Sequence, residues 1–74
     1  MSVAAEVITE YLALSGRESP ALRAETKIMR DLEIDSLGLA EIVIMLEQRT
    51  GVDPFAHGFR EFETIAELDA LYST

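Results

Sequence analysis

The sequence predicts an all-α fold, a small four-helix bundle of three main helices and one short one. Apolar residues recur three and four positions apart in three separate segments. No segment alternates apolar and polar residues with period two, which argues against strands. Capping residues stand where the periodic segments start or stop.

The spacing predicts a first helix over about residues 3–15. Val3, Val7, Tyr11 and Leu14 form its apolar stripe, and Ile8 and Leu12 widen it. Gly16 is placed to end that helix in the left-handed conformation. Residues 16–34 then form a long connection, and nineteen residues without structure would be unusual in a compact domain. The stretch SPALRAE offers Ser19 as cap of a short turn with Pro20 at its first position. Leu22, Ile28 and Leu32 are the expected pins to the core.

The strongest helix signal runs from Ser36 to Thr50, with Gly51 as its stop and Leu39, Ile42, Val43 and Leu46 as its buried stripe. Asp53-Pro54 reads as a turn. Phe55, Phe59 and Phe62 in FAHGFREF are spaced for a short helix or turn that fills the core with aromatic rings. A last helix follows in TIAELDALY. Thr64 and Glu67 have capping-box spacing there, and Ile65, Leu68, Leu71 and Tyr72 give the apolar face.

Seventy-four residues make one domain, 1–74, and 49% hydrophobic residues suffice for a packed core. With no cysteine there is neither a disulfide framework nor a thiolate metal site, which suits a reducing cytoplasm. MSVAAEVITEY lacks the basic start of a signal peptide, and the longest apolar run, IVIM, is four residues. The expectation is a cytoplasmic protein, discrete and monomeric. Its net charge of −8 is unevenly placed. Residues 1–30 balance, whereas residues 31–74 hold ten carboxylates against Arg49 and Arg60. That acidic half repels phosphate backbones and anionic lipid, so neither nucleic acid nor membrane is an expected partner, and it steers basic proteins toward itself.

The stretch DLEIDSLGLAEIV raises the functional question. A nucleophilic serine needs a base held close by, and the single histidine, His57, lies in a Gly- and Phe-rich stretch that offers no such arrangement. A calcium loop starting at Asp31 would need glycine at its sixth position and glutamate at its twelfth, where Ser36 and Ile42 stand. Asp35 or Ser36 can cap the helix, which is the ordinary role of such residues. Yet Leu37, Ile44 and Met45 lie outside the expected inward stripe, among Glu41 and Glu47, and together make a plausible contact surface. A serine at that helix start also stands where backbone amides and the helix dipole favour an attached phosphate.

DLEIDSLGLAEIVIMLEQRTGV resembles the central motif of acyl and peptidyl carrier proteins. Asp35, Ser36 and Leu37 match the family's Asp-Ser-Leu triplet, DLEI resembles its lead-in, and Glu41 and Glu47 match acidic positions on its recognition helix. The order of helix, long loop, main helix, short helix and final helix is similar to the family's four-helix bundle. The resemblance implies that Ser36 carries 4′-phosphopantetheine through a phosphodiester, flanked by Asp35 and Leu37 in the attachment motif. It implies that Leu37, Glu41, Ile44, Met45 and Glu47 present the partner surface. It implies a phosphopantetheinyl transferase as modifying enzyme, an acyl- or aminoacyl-activating ligase or acyltransferase as loader, and synthase or condensing enzymes downstream. The chain itself would catalyse nothing, and the arm's thiol would hold the cargo as a thioester. Fatty acyl, polyketide and amino-acid cargoes all remain open. Glu33 stands where the lead-in usually has glycine, Gly38 replaces a polar or acidic residue, and VDPFAHGF is not the commonest form of its loop. These departures lean toward specialised metabolism. The competing reading is a small acidic helical module that binds a basic partner without a cofactor, and an enzyme ranks third.

Overall fold

The computed structural model describes residues 2–56, 58 and 60–73. Four helices form: α1 (Val3–Leu14), α2 (Ile28–Asp31), α3 (Ser36–Thr50) and α4 (Ile65–Tyr72). Among the described residues there is no strand, only a single antiparallel bridge between Lys27 and Thr64. No helix among them is long and apolar enough to cross a membrane.

Each main helix is bounded by side chains that satisfy its loose backbone groups. Ser2 accepts from the Ala5 amide to open α1. Gly16, at φ 75°, closes it, its amide bonding Ala13 and the Arg17 amide bonding Leu12. Gly51, at φ 74°, ends α3 as expected. Thr64 and Glu67 form the full capping box of α4. Asp69 of α4 accepts from the Ala4 amide, so the last helix also caps the first.

Helix α1 packs on both α3 and α4, which also touch each other. The core between them comprises Val7, Ile8 and Leu12 of α1, Ile42 and Leu46 of α3, and Ile65, Leu68 and Tyr72 of α4. Ile28 and Leu32 pin the long connection as expected, and Leu22 leans on the core half-buried. Two loops are laced together beside them. The amides of Ile28, Ile65 and Ala66 bond the carbonyls of Glu63, Thr26 and Ala24, and Lys27 pairs with Glu63 at 3.4 Å.

Four local expectations need correction. Leu14 is 76% exposed, because the buried face of α1 centres on Ala4, Ile8 and Leu12 and leaves Leu14 off its edge on the last turn. Ser19 and Pro20 open no turn: the Ser19 hydroxyl bonds the Pro20 carbonyl, and the helical turn of the connection comes later, at α2, where Asp31 accepts from the Lys27 amide. The short helix therefore precedes α3, and none forms among the described residues between α3 and α4. Asp53 and Pro54 do turn, with the Phe55 amide on the Asp53 carboxylate, and Phe55 and Phe62 lie 6.2 Å apart between ring centres. Phe59 and His57 lie outside the described residues. Finally, Val43 and Leu39 are half-buried rather than core, since α3 turns Gly38, Ile42 and Leu46 inward.

Tyr72 is 3% exposed, and its hydroxyl has no hydrogen-bond partner among the described residues. Burial first, then the charges of Glu47 and Asp53, push that phenol up to about 12 from its ordinary 10.0. A folded-state value above the unfolded one means the stability involved is intact below pH 10 and lost as pH climbs toward 12. We expect Tyr72→Phe to gain about 1 kcal/mol in urea unfolding near neutral pH, since an unpaired buried hydroxyl is removed. The variant should also lack this part of the alkaline loss. A variant weaker than wild type at both pH values would show that the hydroxyl does find a partner.

Candidate functional site

The site is the start of α3. The lead-in Leu32-Glu33-Ile34 reaches it between two buried apolar side chains, Leu32 and Ile34, with Glu33 exposed between them. To bury both, the chain turns sharply at Glu33, which takes φ 52° in the left-handed region. That is a conformation glycine adopts freely, and it supplies the physical reason for a glycine in this kind of lead-in.

Asp35 is the N-cap. Its Oδ1 accepts from the Gly38 amide at 2.8 Å, and its carbonyl accepts from the Leu39 amide. Ser36 is therefore the first helical residue rather than the cap. It is exposed, and among the described residues no hydrogen bond occupies its hydroxyl. As at any helix start, the amides of Ser36 and Leu37 have no carbonyl inside the helix to bond. An oxygen carried on Ser36 thus meets free donors and the positive end of the α3 dipole.

Beside Ser36 lies a shallow apolar hollow of about 390 Å³. Leu39, Ala40, Val43 and Ile44 of α3 form one wall, with Phe55 and Phe62 opposite. Periodicity alone placed Val43 in the core and Phe55 and Phe62 in a short helix or turn. The hollow was legible only as an apolar flank of α3, at positions 40, 43 and 44, beyond what the core needs.

The expected partner residues divide. Leu37 is 72% and Ile44 53% exposed, and Glu41 is exposed beside them. Met45 leans onto the core half-buried, and Glu47 is half-buried as well. Gly38, which stands in place of a polar or acidic residue, is buried and faces α1.

A compact helical bundle that presents an exposed, unbonded serine on the first turn of its longest helix has the form of a carrier domain. The family model for the phosphopantetheine attachment site matches residues 5–71, nearly the whole chain. The chain belongs to that family, whose members hold 4′-phosphopantetheine covalently on a serine. A domain of this kind is a carrier and not itself a catalyst. Neither a search of curated proteins nor one of solved structures found a match to the chain. The residues at the start of α3 fit the group, since Ser36 is exposed and the first amides have no carbonyl inside the helix to bond.

Glu33→Gly should relieve the left-handed strain. Offset by the extra freedom glycine gives the unfolded chain, the net gain should be about 0.5–1 kcal/mol. We expect a higher urea midpoint with an unchanged slope. A lower midpoint would mean the Glu33 side chain makes a stabilising contact that outweighs its backbone conformation.

Proposed function

We propose that this chain carries an acyl or aminoacyl group on a 4′-phosphopantetheine arm attached at Ser36, and passes it between biosynthetic enzymes. One observation carries the reading: Asp35 does the capping, so the Ser36 hydroxyl is left exposed and unbonded at a helix start. Ser36 Oγ would hold the arm's phosphate, close to the free amides of the first turn. The arm supplies a thiol at its far end, on which cargo rides as a thioester. No base is required near Ser36 in this chain, because a separate phosphopantetheinyl transferase activates the hydroxyl.

Asp35 fixes the start of the helix and so the direction in which Ser36 points. Leu37, Glu41 and Ile44 form the exposed part of the partner surface, with Met45 and Glu47 at its half-buried edge. Apolar residues among carboxylates suit basic partners that must bind quickly and leave again. Those partners are the transferase, a loading ligase or acyltransferase, and synthase or condensing enzymes. Fatty-acid, polyketide and nonribosomal peptide pathways all supply such sets, and the departures at Glu33, Gly38 and VDPFAHGF favour the specialised ones.

The purified protein should be incubated with coenzyme A, magnesium and a broad-specificity phosphopantetheinyl transferase, and its intact mass recorded. We expect wild type to gain one phosphopantetheine and Ser36→Ala to gain none. A folded wild-type protein that gains nothing, from this transferase or its cognate one, would favour the cofactor-free interaction module instead.

A further inference from the structure

The turn that bears Ser36 is braced from one side only. Its outward residue, Leu37, is 72% exposed. On the inward side, Gly38 faces α1, and a Cβ there would overlap the Tyr11 hydroxyl and lie 3.0 Å from both Tyr11 Cζ and Ile34 Cγ2. The phenol end of Tyr11, its hydroxyl foremost, therefore fills the notch that glycine leaves in the first turn of α3. A second contact comes from the same end of α1. Arg17, just past the Gly16 turn, donates from Nη2 to the Leu32 carbonyl at 2.6 Å. These two contacts straddle the serine, one before it and one after it, with Ile34 buried between them.

We propose that Tyr11 and Arg17 are positioning residues for modification of Ser36, holding the attachment turn in the geometry that the transferase reads. The proposal rests on the carrier reading given above. It also assigns Gly38 to this brace rather than to the partner surface: a side chain at 38 cannot reach a partner without displacing Tyr11.

The physical consequence is a split in the kinetics. A helix start frays easily, and when only a fraction of molecules has the turn formed, the apparent affinity for a reader of that turn falls by the same fraction. Loss of the brace should therefore raise KM for the protein substrate and leave kcat nearly unchanged. An ordinary loss of global stability, with the protein still folded, would leave KM unchanged as well.

The test uses Tyr11→Ala, Tyr11→Phe, Gly38→Ala, Arg17→Ala and a control, Leu71→Ala, which weakens the far side of the core on α4. Steady-state loading by the transferase is measured beside hydrogen exchange of the Gly38 and Leu39 amides, both bonded to Asp35. We expect Tyr11→Ala to raise KM about tenfold with kcat within about twofold, and to speed exchange of those amides by a larger factor, about a hundredfold, because exchange follows the ratio of open to formed turn while KM follows the formed fraction. Tyr11→Phe should shift both readouts in the same direction by a smaller factor, since it removes the hydroxyl nearest Gly38 and keeps the ring. Gly38→Ala should resemble Tyr11→Ala, and combining the two should cost less than their sum, because the clash is gone. Arg17→Ala should shift KM in the same direction by a smaller factor. Should Tyr11→Ala fail to fold, Tyr11→Leu takes its place.

Unchanged exchange in Tyr11→Ala, or equal effects from Leu71→Ala, would overturn the brace. Wild type that exchanges as expected but takes no arm would overturn the carrier reading instead, because the exchange measurement needs no transferase.

Discussion

The carboxylate of Asp35 accepts a hydrogen bond from the Gly38 amide at 2.8 Å, and the character of the site follows from that bond. Either of two adjacent residues is chemically able to cap this helix. With Asp35 in the role, α3 begins at Ser36, and the serine hydroxyl projects from the first turn with no structural duty. Had Ser36 taken the cap, its hydroxyl would be bound to the backbone and its backbone would lie outside the helix. The division of labour between neighbours gives the fold a stable helix start and the function a free oxygen.

The rest of the molecule serves to place that helix start. Leu32 and Ile34 anchor the lead-in, and Glu33 takes a left-handed turn between them. The backbone lacing between residues 24–28 and 63–66 fixes the long connection, which otherwise would be free to carry the lead-in away. Arg49 and Glu10 join the far end of α3 to α1 at 2.5 Å, on the surface, where such a pair adds little stability. The apolar hollow and the exposed Leu37 and Ile44 lie on the side of α3 turned away from α1 and α4. The same helix thus contributes to the core with one face and leaves another open to visitors.

The main helices were legible because periodicity and capping agreed. At Ser36–Thr50, an acidic cap, an apolar stripe and a terminal glycine all gave the same boundaries. The capping box at Thr64 and Glu67 was readable for the same reason. The long connection was not, because α2 has one turn, no side-chain cap and no apolar period, Asp31 only reaching back to the Lys27 amide. Ser19-Pro20 was the stronger local signal, yet it lies on an exposed stretch with no core to pack against. At the site, Asp35, Ser36 and Leu37 stood out by pattern. The roles of Tyr11, Arg17 and the hollow did not, since each depends on residues from separate elements brought together across the fold. Gly38 stood out only as a departure from the family pattern, and the packing of α1 showed that Tyr11 comes near it.

The claim that Asp35 caps while Ser36 is left free is tested most directly by urea unfolding of Asp35→Ala and Ser36→Ala side by side. The account predicts that Asp35→Ala loses about 1 kcal/mol, the usual value of a lost cap. Ser36→Ala should lose no more than a few tenths, because alanine is the better helix former and no hydrogen bond is sacrificed. The reverse order, with Ser36→Ala the more damaging change, would mean that the serine holds the helix start, and would contradict the account.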